Sequence, residues 1–302
     1  MQIKLPHVRH SLIALFATLF LVGVAYSGGT VIALLQNGIR PPRLMAAAEF
    51  PFNPTLSPEV LTAKSAILFD PTSGRVLFAK DAGTQRPLAS ITKLMTAEIV
   101  LTEEKPDTPV TITAEDLAPE GDWGFKVGDT LPLHDLLRIG LIASSNDAMQ
   151  AAAASLGEHY ITKMNQVAQT LGLTQTYFLN PTGLDINGDT SGAYGSAYDV
   201  ARLAALFYKQ YPSYFELTQN SSVSIDDNGR TLNAHATALP LLSIPGFVGA
   251  KTGYTDLAGG NLVAVFDIEI GHPIVAVVLG STEAGRFEDI RTLIDAARHP
   301  NP

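Results

Sequence analysis

Phe247-Val-Gly-Ala-Lys251, Asn261-Leu-Val-Ala-Val-Phe-Asp-Ile-Glu-Ile270 and Pro273-Ile-Val-Ala-Val-Val-Leu-Gly-Ser281 are three apolar runs rich in Val, Ile and Phe. Short runs of this kind between glycine-containing turns read as strands, with Gly271-His272 as the turn joining the last two. A helical pattern from Arg286 to about Arg298 closes the chain. Towards the N-terminus, Ser65-Ala-Ile-Leu-Phe-Asp70 and Arg75-Val-Leu-Phe-Ala79 read as two more strands, joined by a turn at Pro71-Thr-Ser-Gly74. Between these ends the period is helical. Pro87-Leu-Ala-Ser90 opens a helix over Ile91 to Leu101, and residues 132–142, 147–156 and Asp199 to Tyr208 read as further helices. Strands at both ends and helices in the middle predict an α+β fold: an antiparallel sheet assembled from both ends of the chain, flanked by helices and with a helical subdomain inserted.

Ahead of the first strand the chain changes character. From Ser11 to Gln36 there is no Asp, Glu, Lys or Arg, and about 20 apolar residues suffice for a helix to cross a bilayer. The stretch exceeds the ~7–15 apolar residues usual in a cleaved signal peptide, so residues 11–36 are read as a membrane anchor. Ala46-Ala47-Ala48 before Glu49 is the competing cleavage-site reading, under which the protein is secreted. Lys4 and Arg9 before the anchor balance Arg40 and Arg43 after it, so charge does not orient it. Residues 37–62 carry Pro41, Pro42, Pro51, Pro54 and Pro58 and read as an extended spacer.

The charge lies in the body. All 29 acidic residues follow position 48, against 16 of the 20 basic ones. Without a basic run, nucleic-acid binding is not expected. The absence of cysteine excludes disulfides, thiolate metal sites and a cysteine nucleophile. His134, His159, His235 and His272 are scattered with no His-x-x-x-His pair, so neither a metal site nor a metallopeptidase is predicted. No cofactor is expected. The absence of Gly-x-Ser-x-Gly disfavours a Ser-His-Asp hydrolase.

Three short motifs carry chemistry. Ser90-Ile-Thr-Lys93 puts a hydroxyl and an amine on one helical face. Lysine can then activate serine if burial or a nearby cation lowers its pKa. Taken alone, the pair reads more readily as a capping serine with a solvated lysine one turn on. Ser144-Ser145-Asn146 sits between two helices, where a hydroxyl and an amide could relay a proton and hold a carbonyl; they are also ordinary loop residues. Lys251-Thr252-Gly253 leaves an apolar strand and could face a carboxylate while its backbone pairs with an extended peptide. A phosphate loop is excluded there, because its glycines would fall at Pro245 and Ala250.

In this order the three motifs resemble those of the penicillin-recognising serine acyl-transfer enzymes. The surrounding text resembles the low-molecular-mass D-alanyl-D-alanine carboxypeptidases over nearly all of residues 63–298. The matching pieces are Ala66-Ile-Leu-Phe-Asp-Pro-Thr-Ser-Gly-Arg-Val-Leu-Phe78, Leu88-Ala-Ser-Ile-Thr-Lys-Leu-Met-Thr96 and Leu136-Leu-Arg-Ile-Gly-Leu-Ile-Ala-Ser-Ser-Asn-Asp-Ala148. Phe178-Leu-Asn-Pro-Thr-Gly-Leu-Asp185, Ala197-Tyr-Asp199 and Lys251-Thr-Gly-Tyr-Thr255 complete the set. The resemblance implies a β-lactamase/transpeptidase-like fold for residues 63–302. It also implies a serine enzyme that removes the terminal D-alanine of peptidoglycan stem pentapeptides.

By the same resemblance, Ser90 is the nucleophile and Lys93 its base, with Lys251 lowering the Lys93 pKa by repulsion. Ser144 would relay a proton and Asn146 position the reactants. The N–H groups of Ser90 and Tyr254 would hold the oxyanion. Thr252, Gly253 and Tyr254 belong to the substrate-binding strand, and Arg286 would assist with the terminal carboxylate. Residues 1–10 would be a cytoplasmic tail and the catalytic domain would be extracytoplasmic. β-Lactams would be covalent inhibitors rather than good substrates, since Thr176-Tyr-Phe-Leu-Asn180 has no glutamate where a class A β-lactamase needs one. Ser145 departs from the more usual Gly or Ala. The chain stops soon after its last predicted helix, so anchoring is expected from the N-terminal segment. A D,D-endopeptidase and an inactive wall-binding relative are the remaining alternatives.

Overall fold

The computed structural model describes residues 56–121, 123–227 and 229–298. The tail, the anchor read at 11–36 and most of the spacer lie outside these residues. No helix among the described residues is long and apolar enough to cross a membrane.

The principal strands are β1 (Ser65–Asp70), β2 (Arg75–Lys80), β3 (Ser222–Asp227), β4 (Arg230–His235), β5 (Phe247–Thr255), β6 (Gly259–Glu269) and β7 (His272–Ser281). The helices are α1 (Lys93–Glu103), α2 (Leu133–Ile142), α3 (Asn146–Ala154), α4 (Tyr160–Thr170), α5 (Ala197–Gln210), α6 (Pro212–Glu216) and α7 (Gly285–Arg298). Five strands form one antiparallel sheet in the order β5-β6-β7-β1-β2. The first and last of these strands in chain order therefore pair within the sheet, where Ile67 faces Val277. β3 and β4 form a separate hairpin.

The central strands read as unbroken apolar runs because both faces of the sheet are covered. Side chains alternate between faces, and the two cores divide accordingly. Leu262, Ala264, Phe266, Ala276 and Val278 pack with Ile290, Leu293 and Ile294 of α7. Val263, Val265, Val275 and Val277 belong to the core shared with the helical lobe. In that lobe α1 is buried from Lys93 to Val100, its polar Lys93, Thr96 and Glu98 included. The buried Asp289 of α7 accepts from the N–H of Thr62 and Ala63 and from Ser281 Oγ, tying the entry to β1 onto the C-terminal helix.

The observed elements extend the predicted ones. The strand expected to end at Lys251 continues to Thr255, so the whole Lys-Thr-Gly motif lies inside β5. The last hairpin turns at Ile270-Gly271, with Gly271 at φ +76°, and His272 already belongs to β7. Helix α4 and the β3–β4 hairpin were not expected.

Candidate active site

Ser90 sits in a single 3-10 turn, Ala89–Thr92, that runs directly into α1. Its predecessor Ala89 has φ 47°, a left-handed conformation that costs a non-glycine residue about 1–3 kcal/mol and persists only where the surroundings impose it. The turn places Ser90 and Lys93 on one side, with Lys93 Nζ 2.7 Å from Ser90 Oγ. The same nitrogen lies 2.7 Å from Asn146 Oδ1 and 2.9 Å from the Thr182 carbonyl. Lys93 is entirely buried. Burial first, and the charge of Lys251 second, hold its pKa well below 10.5. A neutral amine has two N–H donors and one lone pair. The two carbonyl oxygens can only accept, so they take both donors and leave the lone pair for the Ser90 hydroxyl.

The bend between α2 and α3 supplies the next groups. Ser144 has φ 64°, the second strained non-glycine residue beside the catalytic groups. Ser145 is buried and caps α3 by accepting from Ala148 N–H at 3.1 Å. Its hydroxyl is thus structural. Asn146 opens α3; its Nδ2 donates to the Glu120 carbonyl at 2.6 Å, and this aims Oδ1 at Lys93.

The opposite wall is β5, at the edge of the sheet. Lys251 is buried, and its Nζ lies 2.8 Å from Ser144 Oγ and 2.9 Å from the Thr252 carbonyl. Burial, and then the charge of Arg286, push its pKa down to about 7. Ala250 N–H donates to Thr218 Oγ1, away from β6. Backbone direction alternates along an antiparallel strand, so the N–H groups of Thr252 and Tyr254 face away from the sheet as well. Ser90 lies on that side: a methyl group placed on Gly253 would meet Ser90 N at 3.1 Å and Leu88 O at 3.0 Å. Glycine at 253 is what lets the strand approach the nucleophile so closely. Thr252 Oγ1 donates to Thr237 Oγ1 at 2.6 Å. Arg286 is buried and donates from Nη1 to the Gly253 carbonyl at 2.7 Å, while its Nε has no partner among the described residues.

These walls enclose a cleft of about 880 Å3. Ser90, Ser144, Asn146, Thr252, Gly253, Tyr254 and Arg286 line it, with Lys93 and Lys251 buried behind Ser90 and Ser144. All nine candidate residues read from the sequence therefore converge on one site. Sequence reasoning assigned no role to Thr182, Glu120, Thr237 or Asp185. The first two act through backbone carbonyls, which leave no residue-type signature. Trp123 and Gln150 also line the cleft.

The sequence model of the family described as D-alanyl-D-alanine carboxypeptidase matches residues 53–283. D-alanyl-D-alanine carboxypeptidase DacD of Escherichia coli K12 is 32% identical over 268 residues, covering 82% of this chain and 66% of that protein. DacB2 of Mycobacterium tuberculosis H37Rv, also named a D-alanyl-D-alanine carboxypeptidase, is 32% identical over 247 residues, covering 80% and 84%. Penicillin-Binding Protein D2 of Listeria monocytogenes, solved in an ampicillin-bound form, superposes with a TM-score of 0.67 at 27% identity, covering 81% of this chain and 99% of that one.

Proposed function

The chain belongs to the D-alanyl-D-alanine carboxypeptidase family, and on that premise we propose that it removes the terminal D-alanine of peptidoglycan stem pentapeptides through an acyl-enzyme on Ser90. The observation that carries the reading is the environment of Lys93: a buried amine whose two donors face carbonyl oxygens and whose third neighbour is the Ser90 hydroxyl. As Ser90 Oγ attacks the carbonyl between the two D-alanines, Lys93 takes its proton. The N–H groups of Ser90 and Tyr254 stabilise the oxyanion. The C–N bond then breaks, and the departing amine takes a proton from the Lys93–Ser144–Lys251 group. Water repeats the sequence on the acyl-enzyme and releases the shortened peptide. Thr252 and Arg286 hold the terminal carboxylate.

Residues 11–36 would anchor the enzyme in the cell membrane with the catalytic body outside, and β-lactams would acylate Ser90 in place of the peptide. The absence of a glutamate at Thr176 in Thr176-Tyr-Phe-Leu-Asn180 supports slow release of that adduct.

Labelling with a fluorescent penicillin, run beside D-alanine release from a stem pentapeptide, tests the reading. The wild type should label and release D-alanine, and Ser90→Ala should do neither. An unlabelled wild type sinks the acyl-enzyme. Labelling without release, together with cleavage of a cross-linked dimer, would make the enzyme a D,D-endopeptidase. Labelling with turnover of neither substrate would favour a wall-binding relative.

A further inference from the structure

One six-residue loop, Asn180-Pro-Thr-Gly-Leu-Asp185, touches both walls of the cleft. Asn180 folds it, since its Oδ1 accepts from Gly183 N–H at 2.7 Å and its Nδ2 donates to the Leu184 carbonyl at 2.8 Å. At its N-terminal end the loop holds the helix wall: Pro181 O accepts from Thr96 Oγ1, and Thr182 O faces Lys93 Nζ. Gly183, at φ +81°, presses on the nucleophile turn so closely that a methyl group there would lie 1.9 Å from Ala89 O.

At its other end the loop holds the strand wall. Asp185 Oδ1 accepts from Thr255 Oγ1 at 3.0 Å, and Oδ2 accepts from Leu257 N–H at 3.2 Å. Thr255 Oγ1 accepts in turn from Ala258 N–H. The Asp185 carboxylate therefore organises the turn that ends β5, one residue beyond Tyr254. Among the described residues, no other side-chain hydrogen bond joins this loop to that turn.

We infer that Asp185 is a positioning residue. It sets the distance between the Ser90 turn and the Tyr254 N–H, so that both donors meet one developing oxyanion. The inference rests on the acyl-enzyme reading above. Hydrogen bonds to an oxyanion strengthen as charge develops, and a displacement of about 1 Å costs up to about a hundredfold in rate. Loosening the clamp should therefore slow acylation while leaving ground-state binding nearly unchanged.

The test is the rate of penicillin acylation against penicillin concentration, which separates the binding constant from the acylation step, with each variant's active fraction set by titration. Asp185→Ala should acylate about ten- to a hundredfold more slowly, with its binding constant within about threefold of wild type. Asp185→Asn should remain within about threefold of wild type, because a rotated amide accepts from Leu257 N–H and donates to Thr255 Oγ1. Thr255→Val should resemble Asp185→Ala, and the double variant should be no slower than the slower single one, as expected of partners in one interaction. Three results would overturn the inference: Asp185→Ala acylating at the wild-type rate, additive losses in the double variant, or Asp185→Asn as slow as Asp185→Ala. The last would mean that the carboxylate acts through its charge. Failure of wild-type acylation would instead strike the proposed function.

Discussion

The helix wall and the strand wall of the cleft each carry one buried lysine, yet the two are set up differently. Lys93 has three oxygen neighbours and Lys251 two. The helix wall uses strained backbone at Ala89 and Ser144, whereas the strand wall is a regular edge strand whose peptide groups are its working parts. The cations are also graded. Beyond burial, the larger cause for both, the charge of Arg286 depresses Lys251 and that of Lys251 depresses Lys93. The guanidinium of Arg286 keeps positive charge at its end of the cleft, suited to a carboxylate, and the lowered pKa of Lys93 suits the Ser90 end to a base. Burial pushes both lysines towards the neutral form, and each has a different cation as its neighbour.

Replacing the base should have the largest effect. Lys93→Met removes the acceptor for the Ser90 proton, and acylation should fall by about 10²–10⁴-fold, measured with fluorescent penicillin, while Ser90 itself is retained. Lys251→Met should cost less, about ten- to a hundredfold. If Lys251→Met were the slower variant, the two walls would have to exchange roles, with Lys251 drawing the proton through Ser144.

The same variant sharpens the comparison through pH. A positive neighbour disfavours the ammonium form of Lys93. Without Lys251 that form is stabilised, so the acid limb of the acylation profile should move to higher pH. Stability has its own signature. Folded Lys251 titrates at about 7 against 10.5 for an ordinary lysine, so the unfolded chain binds the extra proton between those values. Wild-type stability should rise with pH across that window. Lys251→Met lacks that dependence. It should be the more stable protein below pH 7, by about 1–4 kcal/mol, with the advantage fading towards pH 10.5. Thermal unfolding across that range reads both.

How far these walls could be read from sequence follows from the range of each interaction. Ser90 and Lys93 are three residues apart, so local geometry nearly determines their contact. Lys251 reaches Ser144 only because the sheet brings residues 107 positions apart together, and it was recognised from the order of three motifs rather than from its own surroundings. The carbonyls of Thr182 and Glu120 were invisible because any residue type presents one. Helix α4 left a readable stripe as well, since Ile161, Met164, Val167 and Ala168 recur at helical spacing and pack on the core. The β3–β4 hairpin was legible in principle. Val223 and Ile225 alternate with polar residues, as do Leu232 and Ala234, around Asn228-Gly229. The clamp at Asp185 lay inside a segment that matched the family, but its partners Thr255 and Leu257 become neighbours only in the folded chain.

The smallest effect is expected from another buried ionisable group, on the helix of Lys93 but outside the cleft. Glu98 is 4% exposed, its Oε2 has no partner among the described residues, and burial raises its pKa to about 7. On the same helix, Thr102 donates to the Glu98 carbonyl and meets the Tyr211 hydroxyl rather than the catalytic groups. In the unfolded chain Glu98 ionises near 4.5, so the fold holds the extra proton between 4.5 and 7. Wild-type stability should therefore fall as pH rises through that window. Glu98→Gln is neutral throughout. It should match wild type at pH 4 and exceed it above pH 7 by at most about 3 kcal/mol, with penicillin acylation unchanged at both. A loss of acylation in Glu98→Gln would connect this carboxyl to Lys93 along α1 and end the division of the cleft into two self-contained walls.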